Sequence, residues 1–137
     1  MMKVDGARLI STRLVTEADG QLWVTESGNQ IPFEIKRIFC VMNVVEGKSR
    51  GDHATKKTNL ILFPISGSCD VVVDDGKNQD TYHMDDPTKG LYIDAMIWRS
   101  MQNFTKDCIM MAVCDRPSEP GNETYDNYDV YKKALNG

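Results

Sequence analysis

Short apolar runs separated by turn residues are the feature that most constrains the fold of this chain. In order, the sequence contains ARLIST, QLWVTE, IPFEIKRIFCVMNVV, TNLILFPISG, SCDVVVDDG, TYHM, GLYIDAMIW and CIMMAVC. Turn signals such as Asp75-Gly76 lie between the runs, and the periodicity of an amphipathic helix is nearly absent. Nine or more short strands with frequent turns predict an all-β fold, a sandwich or barrel of antiparallel strands in the jelly-roll class.

The pattern also predicts which strands are central. NLILFPI and CIMMAVC are apolar on both faces, which is typical of strands with neighbours on each side. The tail TYDNYDVYKKALNG, with Tyr125, Tyr128 and Tyr131, is expected to form a short helix or a loop. Without a linker or a repeat, residues 1–137 are expected to form a single domain that buries roughly two-thirds of its unfolded surface.

Charge and composition argue against two broad classes of partner. The net charge of -4 and the pI near 5.1 disfavour nucleic acid, whose phosphates attract a basic face. No apolar run reaches the roughly 18–20 residues of a membrane span, and MMKVDGARLI lacks a signal-peptide core. We therefore expect a cytoplasmic protein that binds neither nucleic acid nor membrane.

The cysteines point to the same compartment. Cys40, Cys69, Cys108 and Cys114 lack CxxC spacing and lie mostly within apolar runs. Metal ligands or a disulfide framework need different neighbours and spacing. We expect buried free thiols, as in a reducing cytoplasm.

The segment RGDHATKK contains His53, one of the two histidines of the chain, among charged residues. Such a histidine is either a solvated surface residue or a proton-transfer group, because its pKa lies near neutral pH. If the segment is a strand, the period of two places His53 and Thr55 on the same face. The other histidine, His83 in TYHMDDP, is expected at an exposed strand end.

Several motifs occur in the order found in a known family. They are IPFEIKRIF, RGDHATKK, ISGSCDVVVDDG, LYIDAMIWRSMQNF, DCIMM and YDNYDVYKK, within about residues 19–133. In this combination the chain resembles the nucleotide-sugar 3,4-ketoisomerases, which are small WxcM-like cupins. The resemblance implies a cupin jelly roll, a homodimer with exchanged strands and no cofactor.

The resemblance also implies a reaction. Members of the family act on dTDP-4-keto-6-deoxyglucose, move its keto group from C4 to C3 without a metal, and supply deoxyamino sugars for surface polysaccharides. Residue counts likewise predict no metal, because a cupin metal centre typically uses three histidines and a carboxylate, and this chain has two histidines.

Four positions depart from the family pattern, and a fifth, Arg99, matches some of its members. Thr55 stands where a second motif histidine belongs, Leu60 replaces a glutamine, and Phe39 replaces a tyrosine. Asp19 occupies a position often held by arginine or tyrosine, whereas Arg99 matches members that have arginine there. The exchanges remove polar groups from the expected pocket, so a two-base mechanism would need a substitute such as Asp19 or a tyrosine.

Moving a ketone by one carbon requires removal of a proton at C3 and return of a proton at C4. His53 is the candidate catalytic base; Thr55 is a candidate catalytic residue that can relay a proton or hydrogen-bond but cannot be a base alone. The candidate substrate-binding residues are cations for the diphosphate and aromatic walls for the sugar or base: Arg37, Arg50, Lys56, Lys57, Tyr92, Trp98 and Arg99.

Three functions are compatible with these residues. The favoured one is a ketoisomerase of a dTDP-linked 6-deoxyhexose, which rests on His53 and Arg99. The alternatives are a sugar-nucleotide-binding cupin that has lost catalysis, favoured by Thr55, Leu60 and Phe39, and an epimerase of a different nucleotide sugar. Fold cannot choose among them, because function depends on the site.

Overall fold

The computed structural model describes residues 4–137, and most of its regular structure is β-strand. The strands are β1 (Ala7–Ser11), β2 (Arg13–Glu17), β3 (Gly20–Val24), β4 (Arg37–Met42), β5 (Arg50–Thr55), β6 (Leu60–Ser66), β7 (Cys69–Asp74), β8 (Gln79–Met84), β9 (Lys89–Ile93), β10 (Trp98–Gln102), β11 (Ile109–Cys114) and β12 (Thr124–Tyr125). They are followed by helix α1 (Tyr128–Asn136). The described residues include no helix that could span a membrane.

Two five-stranded antiparallel sheets form a β-sandwich. The first has the order β1-β9-β6-β11-β4 and the second the order β12-β5-β10-β7-β8, while β2 pairs with β3 as a hairpin. Buried side chains from both sheets, among them Leu62, Leu91, Val71 and Met101, form one core between them. The all-β jelly-roll prediction is confirmed.

The two strands predicted to be central are central. β6 lies between β9 and β11, and β11 lies between β6 and β4. Leu62 faces the core between the sheets, whereas Ile61 and Phe63 pack with Val113 in a second cluster on the outer face of the first sheet. Burial on both faces explains why these strands lack alternating polar residues.

Two of the predicted apolar runs are not single strands. In the run over residues 31–45 only β4 is a strand, and Pro32, which has no backbone N–H for a ladder, lies in the irregular part. Residues 90–98 are divided between β9 and β10 by a turn in which Met96 has a φ of 67°. The chain crosses from the first sheet to the second at this turn, which brings Arg99 of β10 beside β5.

The tail forms helix α1 behind the second sheet. Asn127 caps its N-terminus by accepting a hydrogen bond from a backbone N–H of the first turn. The hydroxyl of the buried Tyr131 donates to the Met96 carbonyl oxygen at 2.8 Å, and its ring packs on Trp98 with 5.6 Å between the ring centroids. The helix therefore anchors the turn and the start of β10.

The four cysteines are free thiols, as predicted, but they are not all buried. Cys69, Cys108 and Cys114 are buried, whereas Cys40 is exposed. Cys40 lies on β4, an edge strand in which alternate side chains face solvent, so the prediction of a buried thiol was wrong at this position.

Candidate active site

A β-bulge immediately before His53 sets the direction of its side chain. The pairing of β5 with β10 shifts by one residue at Asp52, where Gly51 has a φ of 87° and Asp52 a φ of 52°. The Ser100 hydroxyl of β10 donates a 2.7 Å hydrogen bond to the Asp52 carboxylate and holds the bulge. Because of the extra residue, Arg50 and His53 face the same cavity although they are three positions apart.

The cavity has a volume of about 280 Å³ and lies where β4, β5 and β6 meet the segment before β12. Its polar lining includes Arg37, Arg50, His53, Thr55, Glu123 and Thr124, and its apolar lining includes Phe39, Val41 and Leu60. His53 and Thr55 thus share one face of a strand, as the period of two predicted. A smaller adjoining space is lined by both His53 and Arg99.

The environment of His53 favours the neutral form of its imidazole. Burial lowers the pKa of His53 below the ordinary 6.5, and the positive charge of Arg99 lowers it further. Nearby carboxylates oppose this shift, the first of them Asp126, whose Oδ1 lies 3.9 Å from Nδ1 of His53. The neutral form therefore predominates at neutral pH, which is the form that can accept a proton.

Arg99 is a buried cation with unused hydrogen-bonding capacity. It is 3 % exposed, and its Nη2 donates to the Thr55 hydroxyl at 3.4 Å. Its Nε and Nη1 are buried without a hydrogen-bond partner among the residues that the structure describes. Burial lowers the pKa of Arg99 to about 10, so the side chain stays charged at neutral pH. Buried unpaired donors are costly, and the oxygen of a bound ligand would satisfy them.

The hydroxyl of Thr55 is already engaged. It donates to the Thr58 carbonyl oxygen at 2.7 Å and accepts from Arg99. With its proton directed to the backbone, Thr55 is placed to orient Arg99. A role of Thr55 in proton transfer stays a prediction. The geometry does not support it, because the hydroxyl proton of Thr55 is donated to the Thr58 carbonyl oxygen.

The four remaining cations predicted to bind substrate are divided between two places. Arg37 and Arg50 line the cavity with His53. Lys56 instead donates to the Asn122 side chain at 2.9 Å, and both Lys56 and Lys57 line a separate small cleft.

The two predicted aromatic walls lie away from the cavity. Tyr92 is buried in the cluster on the outer face of the first sheet, where the Arg8 guanidinium lies 4.2 Å from its ring centroid. Trp98 points to the outer side of the second sheet and packs against Tyr128 and Tyr131 of α1. Neither residue lines the space around His53, so their role in binding stays a prediction that this cavity does not support.

Three acidic residues at this site were not predicted from the sequence: Asp52, Glu123 and Asp126. Asp52 holds the bulge, Glu123 lines the cavity and forms an ion pair with Arg37, and Asp126 lies near the His53 ring. Glu123 and Asp126 reach the site because the two-residue strand β12 pairs with the end of β5. A strand of two residues leaves no periodic signal in a sequence.

Within residues 4–137, no three side chains of His, Cys, Asp or Glu are grouped to hold a metal ion.

The opposite environments of the two histidines generate a prediction. Burial and the charge of Arg99 lower the pKa of His53. By contrast, exposed His83 forms a 2.7 Å hydrogen bond from its Nδ1 to the Asp70 carboxylate, and this bond raises the pKa of His83. In an NMR titration we expect one imidazole to titrate below 6.5 and the other above it. Arg99→Met should raise the pKa of His53 alone, and Asp70→Asn should lower that of His83 alone. A wild-type His53 that titrates above 6.5 would contradict this account of the site.

The chain is similar in sequence to a known protein family. The model of the family described as "FdtA: WxcM-like, C-terminal" matches residues 5–136. The chain is 33% identical over 134 residues to the TDP-4-oxo-6-deoxy-alpha-D-glucose-3,4-oxoisomerase of Aneurinibacillus thermoaerophilus, with 94% of each chain covered.

Solved structures agree with the sequence relatives. The TDP-fucose-3,4-ketoisomerase of Campylobacter jejuni is similar, with a TM-score of 0.87 at 32% identity, over 93% of this chain and 94% of that one. A sugar 3,4-ketoisomerase of Thermoanaerobacterium thermosaccharolyticum in complex with TDP is similar, with a TM-score of 0.93 at 27% identity, over 98% and 97% of the two chains. The chain therefore belongs to the WxcM-like FdtA family, that of the nucleotide-sugar 3,4-ketoisomerases whose motifs it carries.

Proposed function

We propose that this protein is a ketoisomerase that moves the keto group of a TDP-linked 4-keto-6-deoxyhexose from C4 to C3. Its product would serve the synthesis of deoxyamino sugars for surface polysaccharides. The observation that carries the proposal is one cavity wall with a proton acceptor, His53, beside buried donors of Arg99 that have no partner within residues 4–137. The relatives act on substrates of this kind. The free thiols suit the reducing cytoplasm, where we place the enzyme.

The first half of the reaction is removal of the C3 proton by neutral His53. The electrons of the C3–H bond form a C3=C4 double bond, and the carbonyl electrons of C4 move onto O4. The negative charge on O4 is then stabilised by the Nε and Nη1 donors of Arg99. In other enzymes, one donor of this kind is worth about 10² to 10³ in rate.

The second half returns the proton. The imidazolium of His53 donates its proton to C4, and the double-bond electrons form the new C4–H bond. The C3 hydroxyl becomes the ketone as its proton is transferred to O4, which becomes the C4 hydroxyl of the product. A single histidine can perform both carbon proton transfers because its charged form is created in the first step and consumed in the second.

The diphosphate needs cations at the mouth of the cavity. Arg50 lines the cavity on the same strand as His53, and Arg37 lines it from β4. A guanidinium can bind phosphate oxygens in pairs, which fixes the sugar relative to the base. We assign diphosphate binding to Arg50 first, because Arg37 is engaged by Glu123.

The test follows purified protein with TDP-4-keto-6-deoxyglucose in deuterated water by NMR. We expect deuterium to enter the sugar at C3 or C4 and a 3-ketone to form. His53→Asn should lower the rate by about 10² to 10⁴, the usual contribution of a positioned acid–base group. The matched control His83→Asn, on the exposed strand β8, should react as the wild type does. Saturable binding without exchange would reject the isomerase in favour of a binding protein.

We further infer a homodimer, because the hairpin and one sheet edge leave apolar surface open. Leu14 and Leu22 of the β2–β3 hairpin are 42% and 60% exposed. On the edge strand β4, Ile38 and Met42 are 59% and 50% exposed. A second copy of the hairpin laid on this edge would cover both sets and pair the open strand.

Light scattering during gel filtration tests the dimer. The measured mass of the wild type should be twice that of one chain. The double variant Ile38→Glu/Met42→Glu should have the mass of a monomer, because burial of charges in an apolar interface is strongly unfavourable. Val130→Glu, at an exposed apolar position of α1, is the matched control and should remain dimeric. A wild-type monomer at micromolar concentration would overturn this inference.

A further inference from the structure

Moving a ketone from C4 to C3 relocates two protons, and His53 accounts for one of them. One proton passes from carbon C3 to carbon C4. The other passes from the hydroxyl oxygen O3 to O4, which becomes the hydroxyl of the product. Thr55 is poorly placed to carry the second proton, because its own proton is donated to the Thr58 carbonyl oxygen.

The substitutes suggested by the sequence do not line the cavity. Asp19 lies in the exposed turn between β2 and β3. Of the tail tyrosines, Tyr128 and Tyr131 pack behind the second sheet with Trp98, and Tyr125 packs against Tyr131. None of these groups lines the space beside His53.

Glu123 is the carboxylate that lines this cavity within the described part of the chain. Its side chain is 20% exposed, and its Oε1 forms an ion pair with Nη1 of Arg37. Its carbonyl oxygen accepts a 2.9 Å hydrogen bond from the Lys56 backbone, which ties it to the end of β5. The ion pair engages one of the two carboxylate oxygens, Oε1.

His53 and Glu123 act on the same small space from different elements. His53 projects from β5, and Glu123 projects from the segment before β12. The charge of Glu123 is close enough to raise the pKa of His53, in opposition to burial and Arg99. A sugar bound in a cavity of about 280 Å³ would contact both side chains.

We propose that Glu123 is a second catalytic residue, which carries the hydroxyl proton from O3 to O4; this inference rests on the proposed ketoisomerase function. The Glu123 carboxylate takes the O3–H proton as the C3=O bond forms, and the protonated carboxyl donates it to O4. No proton is gained or lost overall, and Glu123 ends in its starting form. Arg37 holds the carboxylate in place through their ion pair.

The test separates the two proton transfers by comparing turnover with deuterium entry in deuterated water. In Glu123→Gln we expect formation of the 3-ketone to fall by about 10² or more, whereas deuterium should still enter C3 of the unreacted 4-ketone through His53. His53→Asn should lose both. Glu119→Gln, an exposed carboxylate of the same loop, is the matched control and should retain both.

Chemical rescue provides the second readout. In Glu123→Ala, added formate should restore part of the turnover, because a small carboxylate can occupy the space left by the side chain. Thermal unfolding and TDP binding should match the wild type in each variant used. Wild-type turnover in Glu123→Gln, or loss of C3 exchange together with turnover in a folded, TDP-binding variant, would overturn the inference. A wild type that shows no exchange would instead reject the proposed function itself.

Discussion

The β-bulge at Gly51 and Asp52 is the constraint on which the site depends. A regular strand would send Arg50 and His53 to opposite faces, since side chains alternate with a period of two. The inserted residue restores both to one cavity, and the Ser100 hydroxyl secures it from the neighbouring strand. The same pairing places Arg99 directly opposite His53. The bulge therefore brings Arg50, His53 and Arg99 to the same space.

Arg99 connects the fold to the chemistry. A guanidinium inside a β-sandwich costs free energy, and among the described residues two of the nitrogens of Arg99 find no hydrogen-bond partner. The same charge adds to the effect of burial in lowering the pKa of His53, which favours the neutral imidazole. A ligand oxygen that accumulates negative charge would satisfy the donors when proton transfer occurs. In the proposed reaction, the Arg99 donors that are costly to bury are those that would stabilise the enediolate.

The fold could be predicted from the sequence to a greater extent than the site. The apolar runs identified the central strands β6 and β11, since burial on both faces leaves a direct trace in the residues. His53 and Arg99 were found because a family motif marks them. Glu123 was missed, because it reaches the cavity through β12, whose two residues carry no periodicity. Trp98 was expected at the sugar and lies behind the sheet, because it directly precedes Arg99 on β10 and adjacent side chains of a strand point to opposite faces.

The configuration of the product at C4 tests most directly the claim that one histidine performs both carbon proton transfers. In the chair of a 4-keto-6-deoxyglucose, the C3 hydrogen is axial on the lower face of the ring. A proton returned by His53 to that same face leaves the new C4 hydroxyl axial, as in galactose, with a small H4–H5 coupling in the NMR spectrum of the product. A large H4–H5 coupling, from an equatorial hydroxyl, would place the proton donor on the opposite face and contradict the single-histidine account.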